Sequence, residues 1–508
     1  MRNFVGILAL GLAVVAPAAA QAPNPLNTSY YTAMRWRLIG PYRAGRVSAV
    51  SGVASDPNLY FIGTPGGGVW KTTDGGVVWQ PVLDKVGAAS IGAIAIAPSQ
   101  PATVYAGSGE QLPGDGMYVT HDSGRSWRHA GLVDTRTIDA IWVDPHNPLS
   151  VLAAAATGVT GVYRTVDGGA NWKRTLSVPA GTGVVSLGVA PDDPQVVYAA
   201  TQAGRAGALY RSDDGGLTWK PLAASGLPLN AAGKAGLAVA PQSRGGRVYA
   251  YLTPGLFEST DGGASWQRTT TDPRVTGGGY FCQIYVDPNH PQVIYAVETS
   301  LYRSTDGGHT FAAFRGAPGG DDYHVMWIDP ADSRRIILGV DQGATISVDG
   351  GRSWSVWFNQ PTAQLYRVSV DSRFPFYMYS SQQDSGGTLA LPNRSDYGSI
   401  SAKDWYSTGG NENAYSAPDP LDPNLVYTNG WYGNVVRFDR HDGQVLTVFA
   451  AGDRYRLASP APIVFSPTDP HRLYLGTQYL LATDDGGAYW RPLGGDLTAG
   501  AAAPASRG

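Results

Sequence analysis

Cysteine is nearly absent from this chain of 508 residues, Cys282 being the only one. No intrachain disulfide can form, and a zinc site built from several cysteines is excluded. Cys282 lies in Tyr280-Phe281-Cys282-Gln283-Ile284-Tyr285, an apolar inner-strand pattern that predicts a small buried side chain rather than a nucleophile. Charge is also sparse. Charged residues are 15% of the chain, the net charge is −3 and no basic run occurs, which argues against capture of nucleic acid or an anionic membrane. Past the N-terminus no segment approaches the roughly twenty apolar residues of a membrane helix, so no integral membrane segment is expected. Helical periodicity is missing as well, and almost no helix is predicted. Nothing in the composition calls for a metal or a cofactor.

Glycine and proline, in contrast, are plentiful, with 66 and 36 residues. They recur in register as turn punctuation. A box of the form Thr-x-Asp-Gly-Gly-x-x-Trp carries Asp74, Asp122, Asp167, Asp214, Asp261, Asp306, Asp349 and Asp485. The first seven aspartates stand 43 to 48 residues apart, and the last gap of 136 residues is three such steps. Two repeats have therefore lost the box, and ten are present. A period in the forties predicts a β-propeller with one four-stranded blade per repeat. The recurrent prolines of the first inter-strand turn, including Pro375 and Pro423 in the two repeats without boxes, support the same count. The expectation is an all-β fold: a single ten-bladed β-propeller of four-stranded antiparallel blades, with the boxes as turns between the third and fourth strands. The box aspartates read as structural, because every blade needs a turn and a propeller has one active centre.

Four segments are expected. Residues 1–20 read as a secretory signal peptide, with Arg2, an apolar stretch and the small-residue site Ala18-Ala19-Ala20. Residues 21–33 form an irregular lead-in, 34–497 the propeller and 498–508 a disordered tail. Export to the periplasm or the medium follows. Either Trp36-Arg37-Leu38-Ile39 or Trp490-Arg491-Pro492-Leu493 supplies the outermost strand that completes the ring.

The boxes resemble the Asp-box (bacterial neuraminidase, BNR) repeats of sialidases, xyloglucanases and the sortilin ectodomain. Trp36-Arg37-Leu38-Ile39-Gly40-Pro41, Gly66-Gly67-Gly68-Val69-Trp70-Lys71, and the stretch from Asp341-Gln342-Gly343-Ala344 through Asn359-Gln360-Pro361-Thr362 to Gln383-Asp384 are similar to bacterial exported sortilin-like propellers, often labelled glycosyl hydrolases. That resemblance implies an exported ring of ten blades. The activities transfer less well. Arg37 is followed by Leu38-Ile39-Gly40 where sialidases have Arg-Ile-Pro, and Pro65 stands where the similar xyloglucanases place a catalytic Asp.

On a propeller the loops opposite the boxes surround the channel mouth and carry function. Those loops bring Arg43, Arg46 and Glu110 from early blades, and Asp322, His324, Asp341 and Gln342 from blade seven. Asn359, Gln364, Gln383 and Asp384 follow in blade eight, Asn411, Glu412, Trp431 and Tyr432 in blade nine, and Arg454 before the last blade. Asp341, Asp384, Glu412, Asp322 and His324 are the candidates for acid–base chemistry, since carboxylates and a histidine at one mouth can have separated pKa values. The others are candidate ligand contacts, with Trp431 and Tyr432 suited to stacking on a sugar. The expected function is binding of a glycan or peptide at the mouth. The alternative is a glycoside hydrolase or polysaccharide lyase using the same carboxylates, and another exported protein is a further possible partner.

Overall fold

A computed structural model describes residues 31–498 apart from 111, 203–206, 230–234, 254, 276–282, 385, 397 and 459. The signal segment, Cys282 and all but the first residue of the tail lie outside the described residues. From Ile39 onward the chain forms one compact unit. No strand occurs in 31–38, and Trp36 is fully exposed, so that segment supplies no outer strand. The last blade instead uses Arg491–Pro492.

Ten antiparallel sheets follow in sequence order, spanning 49–81, 91–129, 135–177, 183–221, 236–268, 283–315, 323–347, 369–407, 416–449 and 463–492. They are numbered here as blades 1 to 10. The all-β propeller architecture and the count of ten agree with the repeat spacing. No α-helix occurs among the described residues; short 3-10 turns lie at Trp431–Gly433 and Gly452–Arg454. Nine sheets have four strands and blade 7 has three. In blade 7, Ser355 reaches Ile346 through a single backbone pairing (N–O 2.8 Å) and its hydroxyl caps the Ile346 N–H (2.9 Å). The Gln360 side chain then satisfies both the N–H and the carbonyl of Ala344, at 2.9 and 2.7 Å. Side chains here substitute for a fourth strand.

The eight boxes share one geometry. In the fourth, the buried Ser212 hydroxyl donates to Asp214 Oδ1 (2.7 Å) and accepts the Gly216 N–H (2.8 Å). Asp214 Oδ1 in turn accepts the Thr218 N–H (2.8 Å). Gly215 and Gly216 hold φ of 66° and 80°, the left-handed region where a Cβ is strained. The same Ser/Thr-to-Asp bond, at 2.7–2.9 Å, recurs in every other box. Hydrogen bonds from the Asn171 side chain and backbone and from Thr165 hold the Asp167 carboxyl down at about 2.

The box aromatic packs backward onto the preceding blade. Trp172 donates Nε1–H to Ala130 O (2.6 Å), and Trp490 does so to Val448 O (2.9 Å). Trp266 joins the core between blades 4 and 5, and Phe311 that between blades 5 and 6. This rule locates the closure. Trp79 of blade 1 packs with Val50, Tyr60 and Ile62 of its own blade and with Ile337, Ala344 and Ile346 of blade 7. Trp327 of blade 7 meets Tyr60 edge-on at 6.2 Å. Val47 N–H donates to Val340 O (3.1 Å). All seven innermost strands of blades 1–7 line one channel of about 790 Å3. Blade 7 therefore meets blade 1, and the inner strands of these seven blades surround one channel. Blades 8, 9 and 10 stack on one another, through Tyr379, Ala390 and Val426 and then through Tyr427, Phe449, Ile463 and Leu475. A repeat count fixes how many blades exist, but closure depends on which partner buries Trp79 best.

Two outcomes are expected. Ser212→Ala strands the buried Gly216 N–H and should lower stability by about 1–3 kcal/mol, read from the urea midpoint. Trp79→Ala should cost about 3–5 kcal/mol, as for a core aromatic; a shift within error would show that blade 7 does not cover it.

Candidate functional site

The carboxylates predicted for one mouth do converge, at the seam between blade 7 and blades 8–9 rather than on the channel axis. Asp341 and Gln342 form the two-residue turn between the strands Ile336–Val340 and Gly343–Ser347. Asp384 lies in the turn that follows Tyr377–Gln382, Glu412 shortly before Ser416–Pro418, and Asp322 just before Tyr323–Ile328. Asp322 and Asp384 have φ of 50° and 53°. Aspartate is among the few side chains that tolerate this region, and two such residues facing one cavity mark a locally constrained site.

Arg46 organises the cluster. It is 6% exposed, and its Nε and Nη2 donate to Asp341 Oδ1 and Oδ2 at 2.5 and 3.2 Å. Nη2 also reaches Asp384 Oδ2 at 3.0 Å. His324 Nε2 lies 2.7 Å from Asp341 Oδ1. The Asp384 N–H donates to Glu412 Oε2 (3.1 Å), and Gln342 Nε2 donates to the Asp384 carbonyl (2.9 Å). Burial pushes Asp341 up, but hydrogen bonds from His324 and Arg46 outweigh it and hold the carboxyl at about 2. Asp384 goes the other way, to about 8, through burial and then the neighbouring Asp341 and Glu412 carboxylates. Burial, with Asp341 and Asp321 nearby, also raises Asp322. One carboxyl held ionised beside one held protonated near neutrality is the separation that acid–base work requires.

Asp321, Asp322, Asp384 and Glu412 line a pocket of about 420 Å3, with Trp431 and the glycines Gly386, Gly387 and Gly410. Trp431 is 59% exposed and Tyr432, at φ 58°, is 95% exposed. Arg43 stacks over Trp405 at 5.1 Å, and its guanidinium lies against Gly386. Gln364 Nε2 donates to Gln383 Oε1 (2.9 Å), and Tyr366 hydrogen-bonds the same oxygen, so both glutamines are committed to each other beside the pocket. Asn411 is buried and donates to Gly430 O (3.1 Å).

Three predicted contacts lie elsewhere. Asn359 Nδ2 donates to the carbonyls of Gly76 and Val77 (2.7 and 2.8 Å), so it clamps the first box turn. Glu110 lines the seven-bladed channel rather than the acidic pocket. Arg454 sits exposed over Tyr455 at 5.3 Å, on the turn before blade 10. His324 lines the channel and also bonds Asp341. Sequence reasoning passed over Gln382, which is fully buried and donates to the Ala44 carbonyl (2.6 Å), and Trp405 beneath Arg43. The glutamine run Gln382-Gln383 was its only signal; Trp405 had none. Among the described residues, no group of three or more His, Cys, Asp or Glu side chains has a metal-binding arrangement.

A family model for the BNR/Asp-box repeat matches residues 210–221, the fourth box. Among curated proteins no relative matches the chain. Solved structures do. The GH74 xyloglucanase from Xanthomonas campestris has a TM-score of 0.59 and 18% identity, covering 93% of this chain and 83% of that one. The Niastella koreensis GH74 enzyme has a TM-score of 0.64 and 15% identity, over 91% and 74%. PorZ, a surface component of the type-IX secretion system of Porphyromonas gingivalis, has a TM-score of 0.53 and 12% identity, over 90% and 60%. At these identities the likeness is one of fold. The chain is thus a β-propeller that carries BNR/Asp-box repeats, one of them matched by the family model.

Proposed function

We propose that this protein is an exported β-propeller that binds a glycan or peptide in the acidic pocket at the seam of blades 7, 8 and 9. The observation that carries the reading is the convergence of Asp322, Asp384 and Glu412 from three blades onto one 420 Å3 pocket with an exposed Trp431 at its edge. Binding sites combine a concave surface, an aromatic platform and a few polar groups. Repeat geometry alone does not require carboxylates here, and the boxes, which it does require, are separate from the pocket. The signal-like N-terminus supports export, and no helix among the described residues is long and apolar enough to cross a membrane.

A second reading, glycoside hydrolysis or polysaccharide lysis, is favoured by Asp384, whose pKa near 8 makes it a proton donor at neutral pH beside the ionised Asp341. Two of the fold neighbours are GH74 enzymes. Reducing-end and unsaturated-product assays on plant, microbial and host polysaccharides separate the two readings. Turnover that Asp384→Asn abolishes would favour catalysis.

The binding reading is tested with a glycan array and a peptide panel on the full chain. Asp322→Asn, Asp384→Asn and Glu412→Gln should each weaken the ligand so found by roughly 1–3 kcal/mol, the cost of a mismatched buried polar contact. Asp74→Asn and Asp261→Asn, in boxes, should leave binding unchanged. Equal losses in both groups would refute the assignment of the pocket.

The proton on Asp384 makes a separate prediction about stability. Its folded pKa of about 8 lies above the ordinary 3.8, so the native state binds the extra proton between those values. Stability therefore declines as pH rises across that window. Melting temperatures measured from pH 5 to 9 should fall more steeply for the parent than for Asp384→Asn. Parallel curves would show that Asp384 is ionised throughout.

A further inference from the structure

The pocket is rich in hydrogen-bond acceptors and short of donors. Four carboxyls, Asp321, Asp322, Asp384 and Glu412, line it, with the buried Asp341 behind them, against two guanidiniums. Arg46 is spent on Asp341 and Asp384, and Arg43 is stacked on Trp405. Behind the wall the imbalance continues. Asn411, 9% exposed, lies between the lining residues Gly410 and Glu412, and its Oδ1 has no partner among the described residues. A cavity lined by carboxylates and short of donors is matched by a ligand that carries N–H groups.

On the reading that this pocket is the ligand site, we infer that it takes a cationic side chain of a polypeptide, the ammonium of a lysine or the guanidinium of an arginine. The head group meets Asp322, Asp384 and Glu412, and the aliphatic stem or guanidinium plane lies across the exposed ring of Trp431. A long apolar stem with a charged tip matches a pocket whose interior is acidic and whose rim is aromatic. A neutral sugar hydroxyl satisfies single acceptors but leaves the carboxylate repulsion in place.

The cation also changes the protonation of the site. Asp384 faces Arg46 from the segment before blade 1, Asp341 and Gln342 from blade 7, and Glu412 from blade 9, with Tyr366, Arg43 and Asp322 around them. Its proton is held there by burial and the negative neighbours. A bound cation stabilises the carboxylate, so binding near pH 7 releases a proton. Affinity should rise with pH toward 8, by at most about tenfold per unit for one proton.

Calorimetry on the full chain tests this with short peptides carrying a central arginine or lysine, their citrulline and acetyl-lysine counterparts, oligomers of glucosamine, and neutral oligosaccharides. Expected are binding of the arginine or lysine peptide, a loss of roughly tenfold or more for the uncharged counterpart, and an observed heat that depends on the buffer's ionisation enthalpy. Glu412→Gln and Asp322→Asn should weaken the charged peptide alone, whereas Asp74→Asn should not. Equal binding of charged and uncharged peptides, or binding of neutral oligosaccharides only, overturns the inference while the ligand site stands. Binding of glucosamine oligomers without the peptides overturns the polypeptide assignment. Silence of every probe overturns the ligand-site reading itself.

Discussion

The candidate site depends on one buried guanidinium. Arg46 sits ahead of blade 1 yet pairs with Asp341 of blade 7 and Asp384 of blade 8, across 295 and 338 residues of sequence. A buried charge is tolerated only when it is paired and hydrogen-bonded, and here two distant chain segments supply the carboxylates it needs. The same contact holds two carboxylates within reach of each other and thereby separates their proton affinities. Neighbouring hydrogen bonds add to the join. The Ala44 N–H donates to the Gln360 carbonyl at 3.0 Å, and the Ala44 carbonyl accepts from Gln382 at 2.6 Å.

Two cavities with different chemistry result. The channel through blades 1–7 is lined largely by small inner-strand residues and backbone, such as Gly92, Ala93, Gly188 and Ala238. Close blade packing constrains that lining: a Cβ on Gly92 of blade 2 would lie 2.7 Å from the Ile138 carbonyl oxygen of blade 3. The acidic pocket lies where the repeat is interrupted, between a blade with only three strands and two blades without boxes. Freed from the geometry that every blade must repeat, those turns carry aspartates in the left-handed region and a pair of exposed aromatics.

Much of this was legible in the residues. Box spacing gave ten sheets, and the box chemistry, with its Ser/Thr hydroxyl, Asp carboxylate and left-handed glycine, follows from elementary turn physics. Asp341, Asp384 and Glu412 could be placed together because each lies on the loop face opposite the boxes. Closure was not legible, because Trp79 looks the same in sequence whether it meets blade 10 or blade 7. Arg46 read as a ligand contact because an arginine on a loop carries no mark of burial. Asn359 misled for a related reason: polar loop residues serve other loops as readily as ligands, and its amide is used up on Gly76 and Val77. The three-stranded blade was hidden because Trp354 satisfies the box pattern even though no strand follows it.

The backward packing of the box aromatics has a consequence in time as well as in space. Blades 2 to 7 each present their aromatic to a neighbour already made, so a chain growing from its N-terminus can cover them in turn. Trp79 alone must wait until Ile337 and Ile346, some two hundred and fifty residues later, have been added. Until then blade 1 exposes Trp79 and Tyr60 as a sticky edge, and joining it to blade 7 requires closing a loop of that whole length. Joining blade 1 to blade 7 is thus a late and non-local step of assembly, and the nascent protein is prone to association before it.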